Sequence, residues 1–196
     1  MRELVGRRYP VWALARPQSG IAGRSSKDDT ARELAGAQVD FGELTDPSFV
    51  ARTLSGARPD VVISCLASRT GDAADAWAVD YELNRVLLRA AIEAGVGHFM
   101  LLSAICVQKP RLAFQRAKLA FESELRGASI THTIVRPTAF FKSLAGQIAR
   151  VRAGKPYLLL GDGTLTACKP ISEADLARFM VDCIEDSARH DAVLPV

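Results

Sequence analysis

The chain contains no stretch of eighteen apolar residues, and the run from Val61 to Leu66 is far too short to cross a bilayer. The N-terminus carries no signal-peptide hydrophobic region, so the expectation is a soluble, cytoplasmic protein. Cysteine is sparse. Cys65, Cys106, Cys168 and Cys183 stand far apart with no Cys-x-x-Cys pair, which argues against a zinc or iron–sulfur site and for reduced, mostly buried thiols. No metal site is expected. Blocks of five or more like charges are also missing: 25 Lys+Arg against 22 Asp+Glu leave a net charge of +3 spread along the chain. That distribution excludes a nucleic-acid tract while leaving single arginines free to meet an anionic ligand. Internal repeats and low-complexity segments are absent.

What is present is alternation. With 196 residues and 48% apolar content the chain can bury one core, and one domain is expected. Short apolar runs at Val11–Ala15, Gln38–Phe41, Asp60–Ser64, His98–Ser103 and Thr131–Val135 read as strands. Amphipathic stretches near 29–35, 47–55, 73–95, 111–126, 139–153 and 173–185 read as helices between and after them. Val61-Val62-Ile63 and Phe99-Met100-Leu101-Leu102 are continuously apolar, as strands buried on both faces must be. The fold class is therefore α/β, a doubly wound parallel sheet of the Rossmann type. Such a fold normally opens with a strand and a Gly-x-Gly-x-x-Gly turn. That element is missing, and Glu3–Arg8 reads as the last turn of a helix running into a second strand. Leu194-Pro195-Val196 looks like a strand that stops at its beginning. The expectation is one NAD(P)-binding domain over residues 1–196, truncated at its N-terminus and at its C-terminus. Gly161-Asp162-Gly163 reads as a tight hairpin turn, and Ser172 as a helix cap with Asp175 reaching back.

Several residues could carry chemistry. Arg16 directly follows a strand, where an arginine accommodates a 2′-phosphate; Arg24 is a weaker candidate. Gly42-Glu43-Leu44 falls where such folds hold an adenine edge, or is a plain turn. On the helix 73–95, Trp77, Tyr81, Leu88 and Ala91 share an apolar face, and Asn84 lies on the buried side, where its amide needs a partner. Phe114, Lys118, Phe121 and Leu125 recur at helical spacing, so a lysine interrupts an apolar stripe. Ser103 ends a strand, the position at which open α/β sheets meet their ligands.

Four segments taken in order carry a resemblance: Leu101–Pro110, Phe114–Lys118, Arg136–Leu144 and Cys168–Leu176. Together they are similar to the divinyl chlorophyllide 8-vinyl reductases, a branch of the atypical short-chain dehydrogenase/reductases with NmrA-like members. The likeness is strong from about residue 60 onward. It implies NADPH-dependent reduction of the 8-vinyl group of a divinyl chlorophyll precursor, with a tetrapyrrole as the small-molecule substrate. The site it implies has Ser103 and Lys118 as catalytic residues beside the nicotinamide ribose and Arg16 on the 2′-phosphate. Ser64, Cys65, Leu66 and Ala67 would line the adenosine and ribose side, and Pro137, Thr138 and Phe140 the nicotinamide; Asn84, by its place on the helix, is either structural glue or part of the floor of the nicotinamide site. A Tyr-x-x-x-Lys pattern would put a phenol at residue 114, but Phe114 stands there, which weakens carbonyl reduction and suits reduction of a conjugated C=C bond. The proton donor is unassigned, with solvent, Tyr81 and Lys142 as candidates. The missing phenol and glycine turn also permit a catalytically silent NADP-sensing module. Ala- and Arg-rich composition without a Ser-rich leader points to a bacterial protein, cytoplasmic or peripheral to photosynthetic membranes.

Overall fold

A computed structural model describes residues 1–17, 26–158, 162, 164 and 169–196. After a short helix α1 (Arg2–Gly6), the order is β1 (Trp12–Ala15), α2 (Lys27–Glu33), β2 (Gln38–Phe41), α3 (Pro47–Ala57) and β3 (Val61–Ser64). A helical segment follows as α4 (Ala73–Ala76), a π-helical stretch Trp77–Leu83, and α5 (Asn84–Glu93). Then come β4 (His98–Leu102), α6 (Ala113–Gly127), β5 (Thr131–Arg136), α7 (Phe141–Arg152), α8 (Glu173–Glu185) and β6 (Ala192–Pro195). Every pairing is parallel: β1 with β2, and β3–β4–β5–β6 in sequence order. Among the described residues β1 and β3 do not pair with each other, so the sheet has two pieces. The expected α/β class and parallel sheet are found, and the strand foreshadowed by Leu194-Pro195-Val196 is β6, paired to β5.

The side chains of β4 divide between two cores. Phe99 and Leu101 pack with Val50, Leu54, Leu88, Phe121 and Leu125, whereas Met100 meets Val135, Leu176 and Met180. Both faces of the strand are thus covered, which is why its sequence is apolar throughout rather than alternating. Asp46 caps α3 by accepting from the Ser48 N–H at 2.9 Å with Pro47 in the first turn. Ser172 caps α8 as expected, accepting from the Asp175 N–H at 3.0 Å, while the Asp175 carboxylate takes the Ser172 hydroxyl proton at 2.7 Å.

The helix expected to run unbroken over 73–95 is interrupted. The Asn84 side-chain amide donates to the carbonyls of Val79 at 3.2 Å and Asp80 at 3.1 Å, inserting itself into the backbone ladder, and the Trp77–Leu83 stretch winds as a π-helix. The extra residue in that turn rotates Trp77 outward to 42% exposure instead of onto the apolar face, while Leu88 and Ala91 stay buried. Cysteine burial is also corrected: Cys183 is buried but Cys65 and Cys106 are exposed, Cys65 directly after β3 and Cys106 in a short 3-10 turn, Ile105–Gln108, after β4. Cys168, Arg24 and the glycines of the expected 161–163 hairpin lie outside the described residues.

At the N-terminal ends of β4 and β5 the chain's three histidines gather. His98 is 5% exposed, its Nε2 lies 2.9 Å from Thr133 Oγ1, and its ring centroid is 4.4 Å from that of His190. His132 Nδ1 is 3.1 Å from Asp191 Oδ1. Burial, with the neighbouring His190, pushes the His98 imidazole down to about 4 against the pull of Asp191. Because the unfolded chain takes up this proton near pH 6.5 and the folded chain only near 4, stability is full above about pH 6.5 and falls as pH drops toward 4. The expected loss is of order 3 kcal/mol. Urea unfolding at pH 7 and pH 4.5 should show it, and His98→Gln should flatten the dependence; an unchanged slope in the variant would exclude His98 as its source.

Candidate functional site

In a parallel sheet all strands finish at one edge, so residues just past their C-terminal ends become neighbours. Arg16 follows β1, Ser64 closes β3, Ser103 follows β4, and Pro137 follows β5. Backbone bonds tie the β4 and β5 ends together: Ser103 N–H donates to Val135 O at 2.8 Å, and Ile105 N–H to Pro137 O at 3.1 Å.

Lys118 lies on α6, 6% exposed. Its Nζ is 2.9 Å from Asp80 Oδ1 and 3.4 Å from the Leu66 carbonyl oxygen. Asp80, 1% exposed, comes from the π-helical turn, and its other oxygen accepts the Ser68 N–H at 3.3 Å. One carboxylate therefore joins three elements: the loop after β3, the π-turn and α6. An ammonium has three protons, and two of these directions are accounted for by Asp80 and Leu66, which leaves one for a ligand hydroxyl. Asn84 is fully buried and its Oδ1 accepts the Ser64 hydroxyl, with its amide on the π-turn carbonyls, so all three polar positions are used within the protein.

Ser103 Oγ, 5% exposed, donates to Glu122 Oε1 at 2.5 Å. Glu122 is itself buried at 2% exposure and is held by Arg136 through Nε at 3.1 Å and through Nη2. Lys118 and Glu122 are one turn apart on α6. Among the described residues Ser103 and Lys118 share no hydrogen bond; each is held by its own carboxylate.

The remaining candidates sit around these two clusters. Cys65 and Ala67 are exposed and Leu66 half-buried. Arg16 is exposed and forms no ion pair among the described residues. Hydrogen bonds from Ser68 and Thr70 hold the Asp75 carboxyl below its ordinary range, and the Arg16 guanidinium adds to this, which places Arg16 beside the loop after β3. Thr138 gives its hydroxyl proton to Lys169 O at 2.6 Å, and Phe140 bridges to Ile171, so this turn is fastened to the segment before α8. Tyr81 donates to Glu124 at 2.9 Å, and Lys142, 78% exposed, faces Glu173 at 3.5 Å. Two buried charges, Asp80 and Glu122, are absent from the sequence reading, and half-buried Arg136 stands in it only as part of a motif, with no role. The available signal was spacing: Asp80 precedes Asn84 by one turn, and Glu122 follows Lys118 by one turn.

The chain is 51% identical over 202 residues to the chloroplastic divinyl chlorophyllide a 8-vinyl-reductase of Oryza sativa subsp. indica, covering 100% of this chain and 50% of the relative. It is 52% identical over 200 residues to the corresponding protein of Zea mays, covering 99% and 50%. The chain thus spans about half the length of the curated relatives it matches. These relatives are chloroplastic plant proteins, which overturns the expectation of a bacterial cytoplasmic one; composition carried no information about compartment. Among solved structures, the Bordetella bronchiseptica enzyme WbmG in complex with NAD superposes with a TM-score of 0.81 at 16% identity, over 100% of this chain and 66% of that one. That likeness is one of fold. The family model described as NAD(P)H-binding matches residues 1–187, and with the strand-end edge of the parallel sheet inside that span, the chain belongs to the NAD(P)H-binding family.

Proposed function

We propose that the chain is a single NAD(P)-binding domain that takes part in NADPH-dependent reduction of the 8-vinyl group of a divinyl chlorophyllide, a tetrapyrrole, to ethyl. The observation that carries this reading is Lys118, buried at the strand-end edge with one proton to spare and with Phe114, not a phenol, one turn before it. The 51% identity to a protein named for that reaction supports it. When bound, NADPH supplies the hydride.

The residues fit such a cofactor by their donor chemistry. Lys118 would bind the nicotinamide ribose with its remaining N–H, and Ser103 would receive a hydrogen bond beside it. Arg16, exposed after β1, would pair with the 2′-phosphate, while Ser64, Cys65, Leu66 and Ala67 form the wall along the adenosine and ribose. Pro137, Thr138 and Phe140, anchored by Lys169 and Ile171, would back the nicotinamide. Asn84 supports this floor indirectly, through Ser64 and the π-turn. Phe114 offers no phenolic proton to a carbonyl oxygen, whereas a vinyl group conjugated to a macrocycle can spread the charge that hydride brings.

Fluorescence titration with NADPH and NADH tests the cofactor part. Arg16→Ala should weaken NADPH by roughly tenfold or more, as expected for a lost charge-assisted contact, and leave NADH nearly unchanged. Equal losses for both would remove the 2′-phosphate role. Conversion of divinyl chlorophyllide, followed by the shift of its absorption bands, tests the reaction; NADPH binding without conversion would favour a nucleotide-sensing module.

A further inference from the structure

We propose that Glu122 is a positioning residue that commits the Ser103 hydroxyl to accept, not donate, toward a bound ligand, and so selects against carbonyl substrates. Glu122 is almost fully buried, and Arg136 grips both of its oxygens. A carboxylate clamped by a guanidinium is ionised and has acceptors only. Ser103 Oγ lies 2.5 Å from Glu122 Oε1, so the proton between them is the serine's, and it is the only one that hydroxyl has. What Ser103 can present to a ligand is lone-pair density. It can receive a ribose hydroxyl or an amide N–H, but it has no proton for a carbonyl oxygen. Phe114, one turn before Lys118, supplies none either.

The two features reinforce each other. With the remaining Lys118 N–H taken by the ribose, a ketone bound at this edge would find neither a serine nor a phenolic proton for its developing alkoxide, whereas a C=C bond asks for none. The inference rests on the cofactor reading above and adds the reason the site favours a conjugated double bond. It also explains why Arg136, a charge at the end of a buried strand, is there. Without it Glu122 would be a buried charge with no cation to offset its desolvation.

A double-mutant cycle read by NADPH fluorescence titration tests this with the 196-residue chain. In Glu122→Gln one oxygen becomes an amide nitrogen; with the oxygen on Arg136 Nη2, the nitrogen faces Arg136 Nε and Ser103, and the serine proton is pushed toward the ligand, where it meets another donor. Ser103→Ala and Glu122→Gln should each weaken NADPH by about tenfold, a single lost hydrogen bond. The double variant should be no weaker than the poorer single, because Glu122 acts through Ser103. Losses that multiply to about a hundredfold would overturn the proposal, since a merely structural Glu122 lowers affinity whether or not the hydroxyl is present. If Glu122→Gln does not fold, Glu122→Met replaces it in the same cycle: it removes the acceptor that fixes the serine proton, with the same coupling expected. Failure of the unaltered chain to take up millimolar NADPH would instead overturn the cofactor reading, and with it the role of Ser103.

Discussion

Asp80→Ala is expected to destabilise the chain by about 3–5 kcal/mol, the usual cost of leaving one member of a buried ion pair alone. Asp80 is 1% exposed and Lys118 is 8% exposed at its side chain, so water cannot replace the lost carboxylate. The Leu66 carbonyl oxygen, at 3.4 Å, is a weak substitute for a charge. Removing Asp80 also frees the Ser68 N–H, which it accepts at 3.3 Å, so the loop after β3 loses its tie to the π-turn. For a chain of this size the melting temperature should fall by roughly 10 °C or more. The pair Asp80→Asn with Lys118→Met removes both charges while keeping volume and should recover most of that loss. If the single variant melts within a degree or two of the unaltered chain, the ion pair is not structurally buried in solution.

On the proposed function, Lys118→Ala in the complete protein is expected to lower turnover of divinyl chlorophyllide by orders of magnitude, about 10²- to 10⁴-fold if its ammonium orients the nicotinamide ribose. Stability and activity are entangled at this residue because Asp80 is left behind. The neutral pair of Asp80→Asn with Lys118→Met separates them: it should fold and yet be as slow as Lys118→Ala. Near-normal turnover in that folded double variant would refute the assigned role and leave Lys118 as packing and charge balance alone.

Local pattern decided a large part of the architecture. Continuous apolar runs announced β3 and β4, amphipathic spacing placed α3 and the Ser172 cap placed α8 to within a few residues, and the alternation of strands and helices determined a parallel α/β sheet. Lys118 was legible because a cation in an apolar stripe has to be explained, and Asn84 because an amide on a buried face must find partners; both are buried as expected. The phenylalanine at 114 was plain from the residues in order. These are properties of neighbours in the chain, within reach of a helical turn or a strand's pleat.

Tertiary structure decided which carboxylates face which side chains. Asp80, Glu122 and Arg136 look like ordinary solvated charges in sequence, since a charge is buried only when a partner arrives from another element to offset its desolvation. Lys118 comes to Asp80 from α6, and Arg136 to Glu122 from the end of β5, meetings that depend on how helices lie across the sheet. The π-turn followed the same logic: the buried Asn84 amide bonds two carbonyls of its own helix and the hydroxyl of Ser64, and Trp77 at the start of that turn lies outward. The sequence by itself determined the sheet, its strand-end edge and the lysine there. Packing alone decided how each polar group at that edge is held, because the energy of a buried charge is set by what lies across from it rather than by what precedes it in the chain.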